Sequence, residues 1–185
     1  MQHNIIQVKD LRFEPYLLEA DIQRRIQLLA LQIERDYQGK HPLFIGVLNG
    51  AFVFIADLLR YCNLDCDISF VKLSSYSGTQ SSGQVREIIG LDQSVKDRHI
   101  IIVEDIVDTG KTMHHFMQQL QTERPASVAL ATLLSKPSAL EHPVSIDYLG
   151  FEIENQFVIG YGLDYNGAAR NLKDIYQLAT TTDRP

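Results

Sequence analysis

The feature that most constrains the fold is a run of four β-branched apolar residues that leads directly into acidic ones. Residues 100–103 read Ile-Ile-Ile-Val, and Glu104 and Asp105 follow. An apolar run without polar alternation is typical of a central parallel strand that is covered on both faces. From Met113, apolar residues recur at i, i+3, i+4 and i+7, which predicts an amphipathic helix beginning near Lys111. This segment therefore predicts a buried strand, a loop and a helix in succession.

The loop between this strand and this helix has the properties of an anion site. It spans residues 108–112 and ends at a helix N-terminus, where unpaired N–H groups and the helix dipole favour a phosphate. Its Gly-Lys-Thr sequence suggests a nucleoside-triphosphate P-loop, but that motif needs a glycine where Asp105 stands. Glu104 and Asp105 accept hydrogen bonds from a sugar diol and can support Mg²⁺. The segment therefore predicts a site for a phosphorylated ribose.

A second strand, turn and helix are predicted near residue 50. Residues 43–48 form another uninterrupted apolar run, and Asn49 and Gly50 separate it from a predicted helix over 51–59. The start of this helix is a second candidate anion site. An earlier amphipathic helix is predicted over 19–38 from apolar residues at every third or fourth position.

Composition limits the class of protein. The chain has 185 residues, of which 45% are hydrophobic and 22% charged, so we expect a single domain over residues 1–185. A formal charge of −6 argues against nonspecific binding to nucleic acid or to an anionic membrane. No signal pattern or long apolar stretch is visible, so we expect a cytoplasmic protein. Cys62 and Cys66 stand as one pair, which favours packing residues over a disulfide framework or a zinc site.

The order of the segments predicts an α/β fold. Three further apolar segments at 128–134, 146–153 and 157–162 follow the predicted central helix. Strands that alternate with helices, followed by short strand-turn-strand pieces, indicate a doubly wound, mainly parallel sheet flanked by helices, with a small extra subdomain. The Ser- and Gly-rich stretch 74–84 is either a disordered surface loop or a lid that closes over a reactive substrate.

Residues 103–112 resemble the phosphoribosyl-pyrophosphate motif of purine phosphoribosyltransferases, closest to the hypoxanthine-guanine enzymes, and the resemblance extends from Asn49 to Arg170. It implies the type I phosphoribosyltransferase fold, with a hood subdomain formed by the N- and C-terminal segments. The implied reaction transfers the 5-phosphoribosyl group from phosphoribosyl pyrophosphate to N9 of hypoxanthine or guanine, giving IMP or GMP and pyrophosphate in purine salvage. Mg²⁺ as cofactor and a homodimer or homotetramer are also implied.

The resemblance assigns roles to individual residues, and Asp108 would be the catalytic base that accepts the purine N7 proton. The phosphoribose would be bound by Glu104, Asp105, Asp108, Thr109, Gly110, Lys111 and Thr112. The purine would be bound by Lys136, Phe157, Val158 and Asp164, and the pyrophosphate by Leu48, Asn49, Gly50 and Arg170. The lid would contain Ser75 and Tyr76, and the metal would be supported by Glu104, Asp105 and Asp164.

In the family, the first peptide bond of the pyrophosphate loop is often cis, and human-type members have Lys where this chain has Asn49.

Two alternatives remain open from the sequence. One is a regulator that senses phosphoribosyl pyrophosphate without catalysis, although Asp108 and Lys136 are both present and no DNA-binding segment is visible. The other is an enzyme for adenine or a pyrimidine. Lys136 argues against adenine, because its ammonium has only donors and would meet the 6-amino group donor against donor.

Overall fold

Two β-sheets organise the chain, and the computed structural model describes residues 5–75, 85–91 and 93–179. The strands are β1 (Ile6–Val8), β2 (Leu11–Leu17), β3 (Leu43–Leu48), β4 (Asp67–Ser75), β5 (Val85–Ile89), β6 (His99–Val107), β7 (Ser127–Ser135), β8 (Tyr148–Glu152), β9 (Val158–Ile159) and β10 (Ile175–Leu178). The helices are α1 (Glu19–Tyr37), α2 (Phe52–Tyr61) and α3 (Lys111–Thr122), with a short 3₁₀ helix at Pro137–Ala139. The three helices lie where the apolar periodicity predicts them.

The larger sheet has the strand order β5-β4-β3-β6-β7-β8. Five of its strands are parallel, and β5 pairs antiparallel with β4 at one edge. From β3 the chain moves outward to β4, whereas from β6 it moves outward in the opposite direction to β7. The order therefore reverses between β3 and β6, and open α/β sheets bind ligands beside the carboxyl ends of the strands at such a point. This confirms the predicted doubly wound, mainly parallel sheet.

Helices cover both faces of the larger sheet. α1 and α2 pack on one face, over the fully buried Phe44 and Ile101, and α3 packs on the other, over Ile45 and Ile102. Successive side chains of a strand point to opposite faces, so strands buried on both sides contain continuous apolar runs. For this reason β3 and the first half of β6 show no polar alternation.

The smaller sheet is antiparallel, with the order β1-β2-β10-β9, and it joins both ends of the described chain. Its central pair is β2 with β10, in which Phe13 pairs with Leu178. Three of its four strands lie in the N- and C-terminal segments, where the resemblance predicts a hood subdomain, and we refer to this sheet as the hood. The sequence pattern alone predicts neither β10 nor β5, because both strands are short, with four and five residues.

None of the helices in the described ranges is sufficiently long and apolar to cross a membrane.

Candidate active site

Glu104 and Asp105 lie near the carboxyl end of β6. Because they are neighbours in an extended strand, their side chains point to opposite faces of the sheet. Glu104 lines a small cavity together with residues 106–113. Asp105 lies against Gly50, where an added Cβ would stand 1.5 Å from Asp105 Oδ2. The end of β6 thus presents one carboxyl group to the α3 side and one to the loop before α2.

The charges of these two carboxyl groups are poorly offset by their surroundings. Burial, with a contribution from the neighbouring Asp105, raises the pKa of Glu104 well above its ordinary value. Burial also raises the pKa of Asp105 to about 6, although the Ile106 N–H and the charge of Arg170 act in the opposite direction. Within the described ranges, the buried Oε2 of Glu104 has no hydrogen-bond partner. In that part of the chain, Glu104 Oε2 therefore lacks a hydrogen-bond donor that a ligand could supply, whereas Asp105 Oδ1 already accepts from the Ile106 N–H.

The predicted phosphate loop follows β6 directly, and α3 begins at Lys111 as predicted. Residues 108–112 line a cavity of about 80 Å³ together with Glu104. The loop therefore opens beside a strand end and a helix N-terminus, where backbone N–H groups favour an anion. Glu104, from the predicted ribose site, shares this cavity with all five predicted phosphate-loop residues.

Residues 141 and 142, which the sequence pattern does not mark as part of the site, contact the phosphate loop. The carbonyl of Thr109 accepts hydrogen bonds from the backbone N–H groups of Glu141 and His142, both over 3.0 Å. Gly110 has a φ of +78°, and an added Cβ there would stand 2.7 Å from the carbonyl oxygen of His142. Only glycine fits this position without strain.

Lys136 and Asp108 form an ion pair at the ends of β7 and β6. The distance between Lys136 Nζ and Asp108 Oδ2 is 2.9 Å, and Lys136 is buried whereas the Asp108 side chain is 48% exposed. The backbone N–H of Lys136 donates to the carbonyl of Val107 over 2.9 Å, which joins the two strand ends. The structure therefore brings together the two residues predicted to handle the purine proton and its 6-substituent.

The loop of Leu48, Asn49 and Gly50 follows β3 on the other side of the switch point. Its Leu48–Asn49 peptide bond is cis, as the family resemblance predicts, and the Asn49 side chain is exposed. Gly50 is buried between the side chain of Asp105 and the backbone of Gly162, where an added Cβ would stand 2.1 Å from the Gly50 carbonyl oxygen. This loop is therefore in direct contact with Asp105, one of the two predicted ribose carboxylates.

Asp164 and Arg170 lie together beside this loop. Arg170 Nη2 is 2.6 Å from Asp164 Oδ1, and Arg170 Nη1 donates to the carbonyl of Gly162 over 2.7 Å. Asp164 also accepts a hydrogen bond from the Gly167 N–H. Asp164, the predicted metal-supporting carboxylate, is therefore paired with Arg170, the predicted pyrophosphate-binding cation. The charge of Arg170 lowers the pKa of Asp105, and that of Asp164 raises it.

Phe157 and Val158 belong to the hood. The Phe157 ring is 43% exposed and is packed against Phe13 and Tyr165, with ring centroids 6.1 and 5.8 Å away. The N–H of Leu178 donates to the carbonyl of Phe157, so the polar backbone groups of Phe157 face β10. These groups alternate in direction along an antiparallel strand, so those of Val158 face the open edge of the sheet.

The predicted lid is only partly described. Ser75 is the last residue of β4, and Tyr76 lies outside the described residues. In the part of the chain that the structure describes, no group of three or more His, Cys, Asp or Glu side chains could hold a metal ion. Glu104, Asp105 and Asp164 could therefore support Mg²⁺ only together with ligand oxygens or water, which is the usual mode of Mg²⁺ binding.

Comparison with known protein families identifies the family of this chain. Residues 17–166 match the family model described as the phosphoribosyl transferase domain. The chain therefore belongs to the phosphoribosyltransferase family, and it is an enzyme of the transferase class.

Individual relatives show which members of the family the chain is similar to. The chain is 39% identical over 173 residues to the hypoxanthine-guanine phosphoribosyltransferase of Bacillus subtilis. This match covers 93% of this chain and 92% of that protein. It is 41% identical over 155 residues to the hypoxanthine-guanine-xanthine phosphoribosyltransferase of Tritrichomonas foetus, covering 83% and 85%. It is also 41% identical over 155 residues to the bifunctional protein TilS/HprT of Listeria innocua, where the match covers 83% of this chain and spans only 24% of the longer protein.

A solved structure agrees with these relatives. The crystal structure of a hypoxanthine-guanine phosphoribosyltransferase from Bacillus anthracis superposes with a TM-score of 0.86 at 36% identity, covering 94% of this chain and all of that one.

Proposed function

We propose that this enzyme transfers the 5-phosphoribosyl group from phosphoribosyl pyrophosphate to N9 of hypoxanthine or guanine, in purine salvage. The observation that carries the proposal is the Lys136–Asp108 pair beside the phosphate loop. A donor-only lysine next to a carboxylate matches the 6-oxo group and N7 of a 6-oxopurine. This chain covers 92% and 85% of the length of two relatives that are named for hypoxanthine and guanine. Their names support the same substrates.

Residues 108–112 would bind the 5′-phosphate through backbone N–H groups at the start of α3. Glu104 and Asp105 would accept hydrogen bonds from the ribose hydroxyls, with the sugar lying across the end of β6 between them. The bond from C1 to the pyrophosphate oxygen breaks with its electron pair on pyrophosphate, and positive charge develops on the ribose. The two carboxylates would stabilise that charge.

The purine would enter between the hood and the strand ends. Phe157 would stack on the base with its exposed face, and the outward-facing backbone groups of Val158 would bind its edge. As N9 forms the bond to C1, the N7 proton passes to Asp108. Lys136 would donate to the 6-oxo group.

The residues around the ribose site fit a requirement for Mg²⁺. The orphaned Oε2 of Glu104 and the raised pKa of Asp105 mark uncompensated acceptors where a cation would be stabilised. Glu104, Asp105 and Asp164 would support the ion, and Arg170 would bind the pyrophosphate oxygens at the Leu48–Asn49–Gly50 loop. When bound, Mg²⁺ supplies positive charge that stabilises the departing pyrophosphate.

An assay of the four purine bases with phosphoribosyl pyrophosphate and Mg²⁺ tests the proposal. We expect efficient turnover of hypoxanthine or guanine and a catalytic efficiency for adenine lower by about 10⁴, because a site built for one hydrogen-bonding group rejects an analogue that lacks it. Xanthine should be the poorest 6-oxopurine, because the backbone carbonyls of Val158 and Asp164 would face its 2-oxo group acceptor against acceptor. A relative named for xanthine use makes this base informative. Adenine turnover equal to that of hypoxanthine would overturn the assignment.

Lys136→Ala should reduce the catalytic efficiency for hypoxanthine far more than it raises the KM for phosphoribosyl pyrophosphate. Lys96→Ala, which removes an exposed lysine in the connection before β6, is the matched control. Equal behaviour of the two variants would remove Lys136 from purine recognition.

We further infer that the enzyme is a homodimer or homotetramer. Phe52, Ile68 and Phe70 are 43%, 47% and 40% exposed. Ile68 and Phe70 lie on one face of β4, and Phe70 and Ile55 of α2 lie side by side at Gly46. Parallel sheets are normally covered on both faces, so a second copy of the chain is the simplest cover for this patch.

The chain would be a single phosphoribosyltransferase domain over residues 1–185, with the cytoplasm as its location. Ser75 and Tyr76 would belong to a lid that protects the reactive ribose from water.

A further inference from the structure

The turn of residues 160–162 contacts the Leu48–Asn49–Gly50 loop at one point and the helix that follows the loop at a second. At the first, the backbone of Gly162 lies directly against the carbonyl of Gly50, so closely that no side chain fits between them. Gly162 is itself held by Arg170, whose carbonyl accepts from the Gly162 N–H over 3.0 Å. The position of this turn therefore limits where the loop can lie.

The second point is a hydrogen bond from the turn to the helix that follows the loop. The hydroxyl of Tyr161 donates to Oδ2 of Asp57, which lies in α2. Gln23 of α1 donates to the same Asp57 oxygen over 2.5 Å and to the Tyr161 hydroxyl over 3.2 Å. Tyr161 is 3% exposed, and its backbone N–H donates to the carbonyl of Leu172 over 2.9 Å. Both ends of this side chain are therefore fixed.

The chemistry of the phenol suits a permanent donor. Burial and the hydrogen bond to Asp57 raise the pKa of Tyr161 above its ordinary value, so the hydroxyl keeps its proton at working pH. The acceptor, Asp57, lies on the helix that begins at Phe52, two residues after Gly50. Movement of Tyr161 would therefore shift the turn against both the loop and α2.

We propose that Tyr161, acting through Asp57, is a positioning residue that holds the Leu48–Asn49–Gly50 loop in its pyrophosphate-binding geometry. The inference rests on the proposed function, because it takes this loop as the pyrophosphate site. Loss of the Tyr161 hydroxyl should weaken the binding of ligands that carry pyrophosphate. The binding of ligands that occupy only the purine and 5′-phosphate sites should not change.

Steady-state kinetics of Tyr161→Phe tests this difference between the two classes of ligand. The KM for phosphoribosyl pyrophosphate and the inhibition constant of pyrophosphate should each rise about tenfold, the scale expected for a lost hydrogen bond to a charged group. The inhibition constant of GMP, which lacks the pyrophosphate, should change less than about twofold. A uniform loss of affinity for all three ligands would indicate general damage and would overturn the proposal.

Tyr148→Phe is the matched control. Tyr148 is 5% exposed, and its hydroxyl donates to Oδ2 of Asp36 over 2.9 Å, near the amino-terminal ends of the strands and away from the site. It removes a buried Tyr–Asp hydrogen bond of the same type, so its cost in thermal stability should be similar. Its KM for phosphoribosyl pyrophosphate should equal that of the wild type, and an equal rise in both variants would overturn the proposal.

Two variants at Asp57 keep the test decisive if Tyr161→Phe folds poorly. Asp57→Asn retains an oxygen that can accept from the Tyr161 hydroxyl and should retain most of the pyrophosphate affinity, whereas Asp57→Leu should lose it. Identical inhibition constants of pyrophosphate in these two variants would contradict the inference. Failure of the wild type to use phosphoribosyl pyrophosphate with any purine would instead refute the proposed function, so the two failures are distinguishable.

Discussion

At the residue scale, Asp105 carries a charge that the fold disfavours until a ligand arrives. Its folded-state pKa of about 6 exceeds the ordinary value of 3.8, so the protonated form is favoured by folding. The resulting stabilisation is complete below the ordinary pKa and is lost as the pH rises through about 6. Ionised Asp105 therefore lowers the stability of the ligand-free wild-type enzyme most in neutral and alkaline solution.

Asp105→Asn should accordingly stabilise the ligand-free enzyme at pH 8, by at most about 2–3 kcal/mol, since the folded-state pKa is about 6 instead of the ordinary 3.8. The gain should shrink as the pH falls through 6 and vanish near 4, which thermal denaturation across this range would measure. Asp67→Asn is a control of opposite sign, because the Arg98 hydrogen bond and charge lower the pKa of Asp67. A variant no more stable than the wild type at pH 8 would contradict the burial argument.

Asp108→Asn should lower turnover of hypoxanthine by about 10² to 10⁴, because the amide cannot accept the N7 proton. The amide oxygen can still accept a hydrogen bond from Lys136, so binding of hypoxanthine and of phosphoribosyl pyrophosphate should be largely retained. Turnover equal to that of the wild type under saturating substrates would remove Asp108 from the mechanism.

At the element scale, the site is built from two units in which a strand end meets a helix start, one on each side of the switch point. β6 leads through the phosphate loop into α3, and β3 leads through the Leu48–Asn49–Gly50 loop into α2. Apolar runs and helical periodicity predict both units, because each depends on residues close together in sequence. The short strands β5 and β10 escape prediction because their local patterns are weak: β10 pairs with the distant β2, and β5 follows its partner β4 only after the Ser- and Gly-rich stretch.

Asn49→Ala tests whether the loop before α2 acts through its backbone. The Asn49 side chain is exposed, whereas Gly50 is enclosed by Asp105 and Gly162. If backbone N–H groups at the helix start bind pyrophosphate, the substitution should lower kcat/KM for phosphoribosyl pyrophosphate by less than about tenfold, or roughly 1.4 kcal/mol. A loss of several hundredfold would mean that the amide side chain itself binds the ligand.

At the scale of the whole molecule, the exposed patch of Phe52, Ile68 and Phe70 bears on assembly. Phe70→Asp would place a charge in an interface between copies, so it should shift the enzyme toward monomers in analytical ultracentrifugation. Leu28→Asp changes a side chain that is 53% exposed on α1 and serves as the control. A wild type that sediments as a monomer at micromolar concentration would refute the homo-oligomer.

Local patterns in the chain were enough to identify the parallel sheet, its helices, the phosphate loop and the carboxylates of β6. Resemblance to a family then supplied the reaction and named Lys136 and Arg170. The contacts that assemble the site could not be predicted in this way, because they join distant positions: Gly50 with Gly162, Asp57 with Tyr161, and Asp108 with Lys136. Sequence periodicity reports the environment of a residue within its own strand or helix. Strand order and hood packing determine which residues meet, and they depend on the whole chain.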